Sequence, residues 1–478
     1  MRIKSRAIDI DVPKETPFIN DKLEREKVAT ILTDIVSFYG QSGCVMALNG
    51  DWGSGKTTFV RMWRQSLNNG GFKTLYFNAW NSDYTDDPLF SLVSELKELS
   101  PCSNKINTIA GKAGRIMGSV ILSVSKGLVK KTFCVDCDEL NAALDTTEEI
   151  GKEYLKKFAE QKTTIEEFKS DVEKFVADNA KNKPVVFFVD ELDRCNPHYA
   201  VAVLERIKHL FDIPNVIFVL AINKKELCNA IQGYYGSINI NSEEYLRRFI
   251  DIEYTLTNTN MRVYCDHLYK EYGFEEFFES ENRKKYFGND KEVDSFMKMA
   301  VAISELTQTN LRQLERIFAY ARLALMQFEI NNNIIPGIYF LLCFWKVMKP
   351  EFYNKIRNKE ISNQELLSEI EIMFPKDLLI TNNSKIKNRG MYFTIACLIY
   401  YYDATSSDIY DIQNRTLDFK KNQETGKNEY IIKSDILNKE LLDEALNWYY
   451  EGHHNIYGIY ELNFLLDRID LLGRFVMN

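Results

Sequence analysis

The chain has 478 residues, of which 45% are hydrophobic and 27% charged, the balance of an ordinary globular protein of two or three domains. Its formal net charge of −8 argues against generic coating of nucleic acid, which needs a broad basic face, and leaves only a local patch open to such a partner. Nine cysteines scattered singly exclude a disulfide framework and suit a reducing cytosol, so a cytoplasmic location is expected.

In chain order, Met1-Arg2-Ile3-Lys4-Ser5-Arg6-Ala7 carries no pattern of a secretory leader. The first strong signal is the apolar, strand-like run Cys44 to Leu48, followed by Gly50-Asp51-Trp52-Gly53-Ser54-Gly55-Lys56-Thr57, then Thr58. This run meets the G-x-x-x-x-G-K-[ST] pattern at every fixed position. Glycines at that spacing let backbone N–H groups curl around phosphate oxygens at the start of a helix, whose positive dipole end faces them. The pattern predicts a nucleoside triphosphate site in which Lys56 reaches the β- and γ-phosphates and Thr57 holds Mg²⁺. The plain alternative is a glycine-rich turn, and the context that excludes it is a second strand ending in acids.

Lys56 and Asp190 lie 134 residues apart, far more than a compact strand-helix-strand path needs, which predicts an insertion within about 100–180. Lys105 to Lys131 carries six basic residues and no acid, whereas 136–178 holds thirteen acids against six lysines. Three readings follow: contact with an anionic surface such as nucleic acid or lipid headgroups, an amphipathic helix on its own domain, or pairing of the two halves with each other. The longest uncharged run there, Ile116 to Ser125, is about half of the roughly 20 residues needed to span a bilayer, so no membrane span is expected. The lone Cys134-x-x-Cys137 has no second pair, and the five histidines, including His453-His454, show no ligand spacing; no metal other than Mg²⁺ is expected.

The needed strand is Val185 to Val189, five apolar residues running into Asp190 and Glu191. A buried parallel strand is continuously apolar, and its carboxyl end opens onto the ligand crevice. There Asp190 would orient Mg²⁺ and Glu191 would polarise the attacking water; the alternative is a core strand running into an acidic helix cap. A third strand, Val216 to Ile222, ends at Asn223, a candidate sensor of the γ-phosphate that suits a helix N-cap equally well. Arg247 and Arg248 precede the alternating strand Ile252 to Leu256 and read either as an arginine acting across subunits, Arg248 the better placed, or as solvated residues at a helix C-terminus. Thr309-Asn310-Leu311 opens a helix with apolar positions at Leu311, Leu314, Ile317 and Phe318. Beyond 330, runs such as Ile338 to Trp345 and Met391 to Tyr402 read as core helices, and Thr416 to Lys433 as a hairpin.

Taken together these residues resemble the KAP P-loop NTPases, a branch of the additional-strand ATPases related to the AAA+ and STAND groups. The resemblance covers roughly 15–325 and rests on Phe77-Asn78-Ala79-Trp80, on Asp190-Glu191-Leu192-Asp193-Arg194-Cys195 and on the helix-strand unit Val203 to Ile222, beside the phosphate loop itself. Two departures stand out: the second strand-end acid is often Asp in the family but is Glu191 here, and the sensor is often Asp but is Asn223. The first favours hydrolysis. The fold implied is α/β, a parallel P-loop NTPase sheet of the additional-strand type with a helical lid and a mainly helical C-terminal domain. The expected division is a nucleotide core over 15–256, a lid over 257–330, and a partner- or effector-binding domain over 331–478.

The resemblance implies ATP with Mg²⁺ as cofactors and a lid arginine, Arg312 or Arg316, touching the γ-phosphate. It also implies a homo-oligomer and, for soluble relatives, a place beside a separate effector in bacterial anti-phage systems. A guanine-reading Asn-Lys-x-Asp is absent, Asn223-Lys224-Lys225-Glu226 being a loose echo. Two alternatives to a switching ATPase remain: a nucleotide-dependent scaffold or sensor with little turnover, and a motor stimulated by nucleic acid.

Overall fold

The computed structural model describes residues 10–124 (86 and 102 apart), 148–257 (181, 182 and 238 apart), 260–373 (288–290 and 308 apart), 389–403, 417–423, 428–434, 437–450 and 462–470. The chain divides into two compact units, one over Ile10–Thr257 and one built on Asn258–Asn478. Lys126, Lys130, Lys131, Cys134, Cys137, His453 and His454 lie outside the described residues.

In the first unit five strands, β1 (Cys44–Asn49), β2 (Lys73–Asn78), β3 (Val185–Asp190), β4 (Val216–Ile222) and β5 (Ile252–Thr255), form one sheet. Its order is β2-β3-β4-β1-β5, and every pairing is parallel. β3 and β4 are buried along their whole length, which their unbroken apolar sequence predicts, because a parallel sheet is covered on both faces. β4 is the additional strand: it separates the strand before the phosphate loop from the strand that ends in Asp190. Because all strands run the same way, the register Asn49↔Ile222, Asp190↔Ala221 and Asn78↔Asp190 brings Gly50, Asn223, Glu191 and Asn78 to one edge of the sheet.

Each face has its own core. On one, the helices Glu26–Tyr39 and Lys56–Asn69 lay Leu32, Val36, Phe59 and Trp63 against Met46, Leu48, Phe188 and Val219, with the Trp63 ring edge-on to Phe188 at 5.3 Å. On the other, Phe187 stacks on Phe218 at 5.0 Å beneath the helices Pro197–Leu210 and Lys224–Tyr235. The described part of the insertion lies on this second face as the helices Asn104–Val124 and Glu148–Asn179. Ile109, Ala113 and Ile116 on the first, and Phe168, Val172, Phe175 and Val176 on the second, recur at helical spacing and are buried together. Lys112 Nζ lies 3.0 Å from Glu167 and 2.8 Å from Asp171, and Lys105 pairs with Asp178 at 2.5 Å. The described part of the insertion follows two of the three readings together, an amphipathic helix packed on its own domain and the pairing of basic with acidic halves. Among the described residues no helix is long and apolar enough to cross a membrane.

The second unit is mainly helical. Asn310 caps the helix Leu311–Leu325 in a reciprocal capping box with Gln313, as its sequence predicts. Phe296, Phe318 and Phe340, from three helices, pack with ring centroids 4.7 to 5.8 Å apart, so one aromatic cluster joins residues before and after position 330. The helix Pro336–Met348 is buried from Pro336 through Trp345. Arg283 is fully buried: it bonds both oxygens of Glu292 at 2.7 Å and the carbonyls of Ile330 and Asn332 at 2.8 and 2.9 Å. A short antiparallel pair, β6 (Phe419–Lys421) and β7 (Asn428–Tyr430), lies within the expected hairpin.

Candidate nucleotide site

The loop from Gly50 to Gly55 leaves β1 and enters the helix Lys56–Asn69 at its N-terminus. Gly53 and Gly55 have φ of 78° and 81°, left-handed values that a side chain disfavours. At Gly50 a Cβ would meet Ser54 Oγ at 2.8 Å, so a side chain there would displace that hydroxyl. The loop is pinned to its neighbour strand by a 3.0 Å bond from the Gly50 N–H to the Ile222 carbonyl. Lys56 folds back to donate to the Gly50 and Asp51 carbonyls, the latter at 3.1 Å. Its burial pushes the ammonium pKa down, and the charges of Asp193 and Asp190 partly restore it.

Ser54 Oγ is buried and has no hydrogen-bond partner among the described residues. A buried hydroxyl left unpaired costs about 1–3 kcal/mol, and a phosphate oxygen held over this loop would remove that cost. Together with the glycine-lined bend and the desolvated ammonium, this makes the loop fit a phosphate chain.

Asp190 at the end of β3 is almost fully buried, and burial raises its pKa. The Thr57 hydroxyl acts in the opposite direction, as do the two groups that donate to the carboxylate, the Tyr76 hydroxyl 3.0 Å from Oδ2 and the Glu191 N–H 2.9 Å from Oδ1. The hydroxyl of Thr57 is therefore near enough to the strand-end carboxylate to act on its charge, and the two are hard oxygen donors of the kind that holds Mg²⁺ beside phosphates. Glu191 has a left-handed φ of 60°, uncommon for a residue with a side chain and a form of backbone strain that clusters at functional sites. Both its carboxylate oxygens are engaged: Oε2 accepts from Asn78 Nδ2 at 3.0 Å, and Oε1 pairs with Arg194 at 2.8 Å. Arg194 also lies over the Trp80 ring, 5.5 Å from its centroid, and the Trp52 indole N–H donates to Asp193.

The remaining predicted residues divide by place. Asn223 is buried between β1 and β3 at the loop's edge of the sheet and caps the helix Lys224–Tyr235, accepting from the Glu226 N–H at 3.4 Å. Thr58 lies in the first turn of the helix Lys56–Asn69. Arg247 and Arg248 are exposed in the turn before β5, Arg247 paired with Glu244 at 3.1 Å. That turn adjoins the amino end of β1, since the Asp251 N–H donates to Val45 O, whereas the loop leaves the carboxyl end. At roughly 3.3 Å per residue the length of β1, about 17 Å, separates the arginines from their own phosphate loop. Arg312 and Arg316 belong to the second unit, exposed on the helix Leu311–Leu325. Residue-by-residue reading missed Tyr76 and the pairing of Arg194 with Glu191. The signal was present in the Asn-Ala-Trp and Leu-Asp-Arg segments, which the structure brings into contact.

The model of the KAP family P-loop domain matches residues 23–324, well over half of the chain. The chain belongs to the KAP family. Its sheet order, loop and strand-end acids are those of a P-loop NTPase domain, and nucleotide binding is the property this family membership carries. No curated protein shows significant sequence similarity to it. Among solved structures, the Aeropyrum pernix ORC2 protein (ADPNP-ADP complexes) aligns over 90% of this KAP chain and 94% of its own, with 11% identity and a TM-score of 0.30.

Proposed function

We propose that this KAP chain binds ATP with Mg²⁺ and hydrolyses it to switch its conformation or assembly. The nearness of Thr57 to Asp190, beside the loop that holds Lys56, carries this reading. Lys56 would neutralise charge on the β- and γ-phosphates, Thr57 and Asp190 would hold Mg²⁺, and the metal would supply further charge neutralisation. Glu191 would take the proton of the attacking water as its oxygen bonds the γ-phosphorus and the bridging oxygen leaves with ADP. Asn223 would sense the γ-phosphate, and Arg312 would be the lid arginine that reaches it. The place of Arg248, at the sheet edge opposite its own loop, supports action on a neighbouring subunit and hence a homo-oligomer.

The test is ATP hydrolysis by wild type and Glu191→Gln, with mass in solution measured with and without nucleotide. Turnover lost in the variant, with ATP retained and assembly changed by nucleotide, supports the switching ATPase. Normal hydrolysis by the variant removes Glu191 from its role. A scaffold or sensor with little turnover is the second reading, favoured by the engagement of both Glu191 oxygens; it predicts tight binding without steady-state hydrolysis. For biological setting we propose a cytoplasmic role in bacterial anti-phage defence beside a separate effector. Phage challenge of cells carrying wild type or Lys56→Ala tests that, and equal survival refutes it.

A further inference from the structure

Glu191 sits in a network that its role as a base does not require. A carboxylate that takes a proton from water works best with its charge available, yet here a guanidinium neutralises it at 2.8 Å and a neutral amide holds its other oxygen at 3.0 Å. The cation is itself held. Arg194 lies at the end of the short turn Leu192–Arg194, three residues from Glu191, and its guanidinium faces the ring of Trp80, 5.5 Å from the centroid. Trp80 follows the end of β2, and 49% of its surface is exposed. The left-handed backbone at Glu191 sets the direction in which its side chain leaves the strand end, so the pair is built into the turn.

We propose that Arg194 is a positioning residue that latches Glu191 and restrains hydrolysis, and that Trp80 holds the latch closed. The inference rests on the reading of Glu191 as the base. The latched carboxylate presents its oxygens to Arg194 and Asn78; with the cation gone, it loses its counter-charge and is freer to turn toward a water. The half-exposed face of Trp80 is the point at which a contact from outside would loosen the latch.

The experiment compares kcat and KM for ATP in wild type, Arg194→Gln, Arg194→Lys, Trp80→Leu and Glu191→Gln, each with a melting curve. Arg194→Gln is expected to raise kcat about fivefold, the upper range for a partly exposed ion pair, with KM changed less than about twofold. Arg194→Lys, which keeps the cation, is expected to stay near wild type, and Trp80→Leu to raise kcat in the same direction by less. A purely structural role would instead lower the melting temperature and kcat together. An unchanged or lower kcat in Arg194→Gln overturns the proposal; if that variant does not fold, an unchanged or lower kcat in Trp80→Leu does so. Full turnover in Glu191→Gln shows instead that the base was misassigned, which separates failure of the latch from failure of the ATPase reading.

Discussion

Tyr76→Phe removes one oxygen and leaves the rest of the side chain, including the ring face 5.6 Å from the Arg64 guanidinium. The lost group is a hydroxyl 3.0 Å from Asp190 Oδ2, and the acceptor is almost wholly buried. Burial, then the Asp190 charge, push the phenol pKa upward, so Tyr76 remains a proton donor across the working pH range. A hydrogen bond to a charged group contributes about 1.5–3 kcal/mol, which at roughly 1.4 kcal/mol per decade corresponds to a loss of tenfold to a hundredfold. Outer-shell partners of metal ligands show losses of the same order. Asp190 keeps its bond from the Glu191 N–H and the Thr57 hydroxyl nearby, so the lower figure, about tenfold weaker Mg²⁺, is expected. The assay titrates Mg²⁺ into protein bound to a fluorescent ADP analogue. Nucleotide affinity without metal should change less than about twofold, because Tyr76 meets Asp190 and not the loop. Mg²⁺ affinity within twofold of wild type would show that Tyr76 does not tune Asp190 and would refute the argument.

Lys56→Ala removes a desolvated ammonium that donates to two loop carbonyls, and without it ATP affinity should fall by about 2–3 kcal/mol, roughly 30- to 150-fold, in a nucleotide titration. Asp190 has a raised folded pKa, so its contribution to the ligand-free protein is fully present below the ordinary carboxylate range and is lost as pH rises through the folded value. Mg²⁺ requires the ionised form; the gain in melting temperature from Mg²⁺ with ADP should therefore shrink as pH falls into the acid range, and Asp190→Asn should abolish it. In the second unit, Arg283→Gln leaves the Glu292 carboxylate with no bidentate partner and should cost about 3–5 kcal/mol by chemical denaturation. A cost below about 1 kcal/mol would show that the site relaxes around the loss.

The most legible parts of this protein were those whose chemistry is local along the chain. A phosphate loop needs consecutive backbone N–H groups on a bend, so Gly50 to Thr57 announce it within eight residues, and the left-handed angles of Gly53 and Gly55 follow from that bend. Buried parallel strands need unbroken apolar runs, so β3 and β4 and the acids that end β3 were readable in the same way. The cap at Asn310 was equally local. Less legible were contacts whose two sides are remote: Asn78 and Glu191 are 113 residues apart, Tyr76 and Asp190 114, and Trp52 and Asp193 141. Family motifs marked some of these residues but did not say what each one touches.

By itself the sequence therefore determined the kind of ligand chemistry the chain contains and the strands that present it. Tertiary structure decided which groups restrain that chemistry. Inserting β4 between β1 and β3 puts Asn223 between the two motifs, and pairing β2 with β3 brings Tyr76 and Asn78 onto Asp190 and Glu191. It also set Arg248 at the far edge from its own loop and gave Lys105 and Lys112 acids of the same chain as partners. The physical reason is that a strand's own residues determine its burial and direction, whereas its neighbours in the sheet are chosen by the packing of the whole unit.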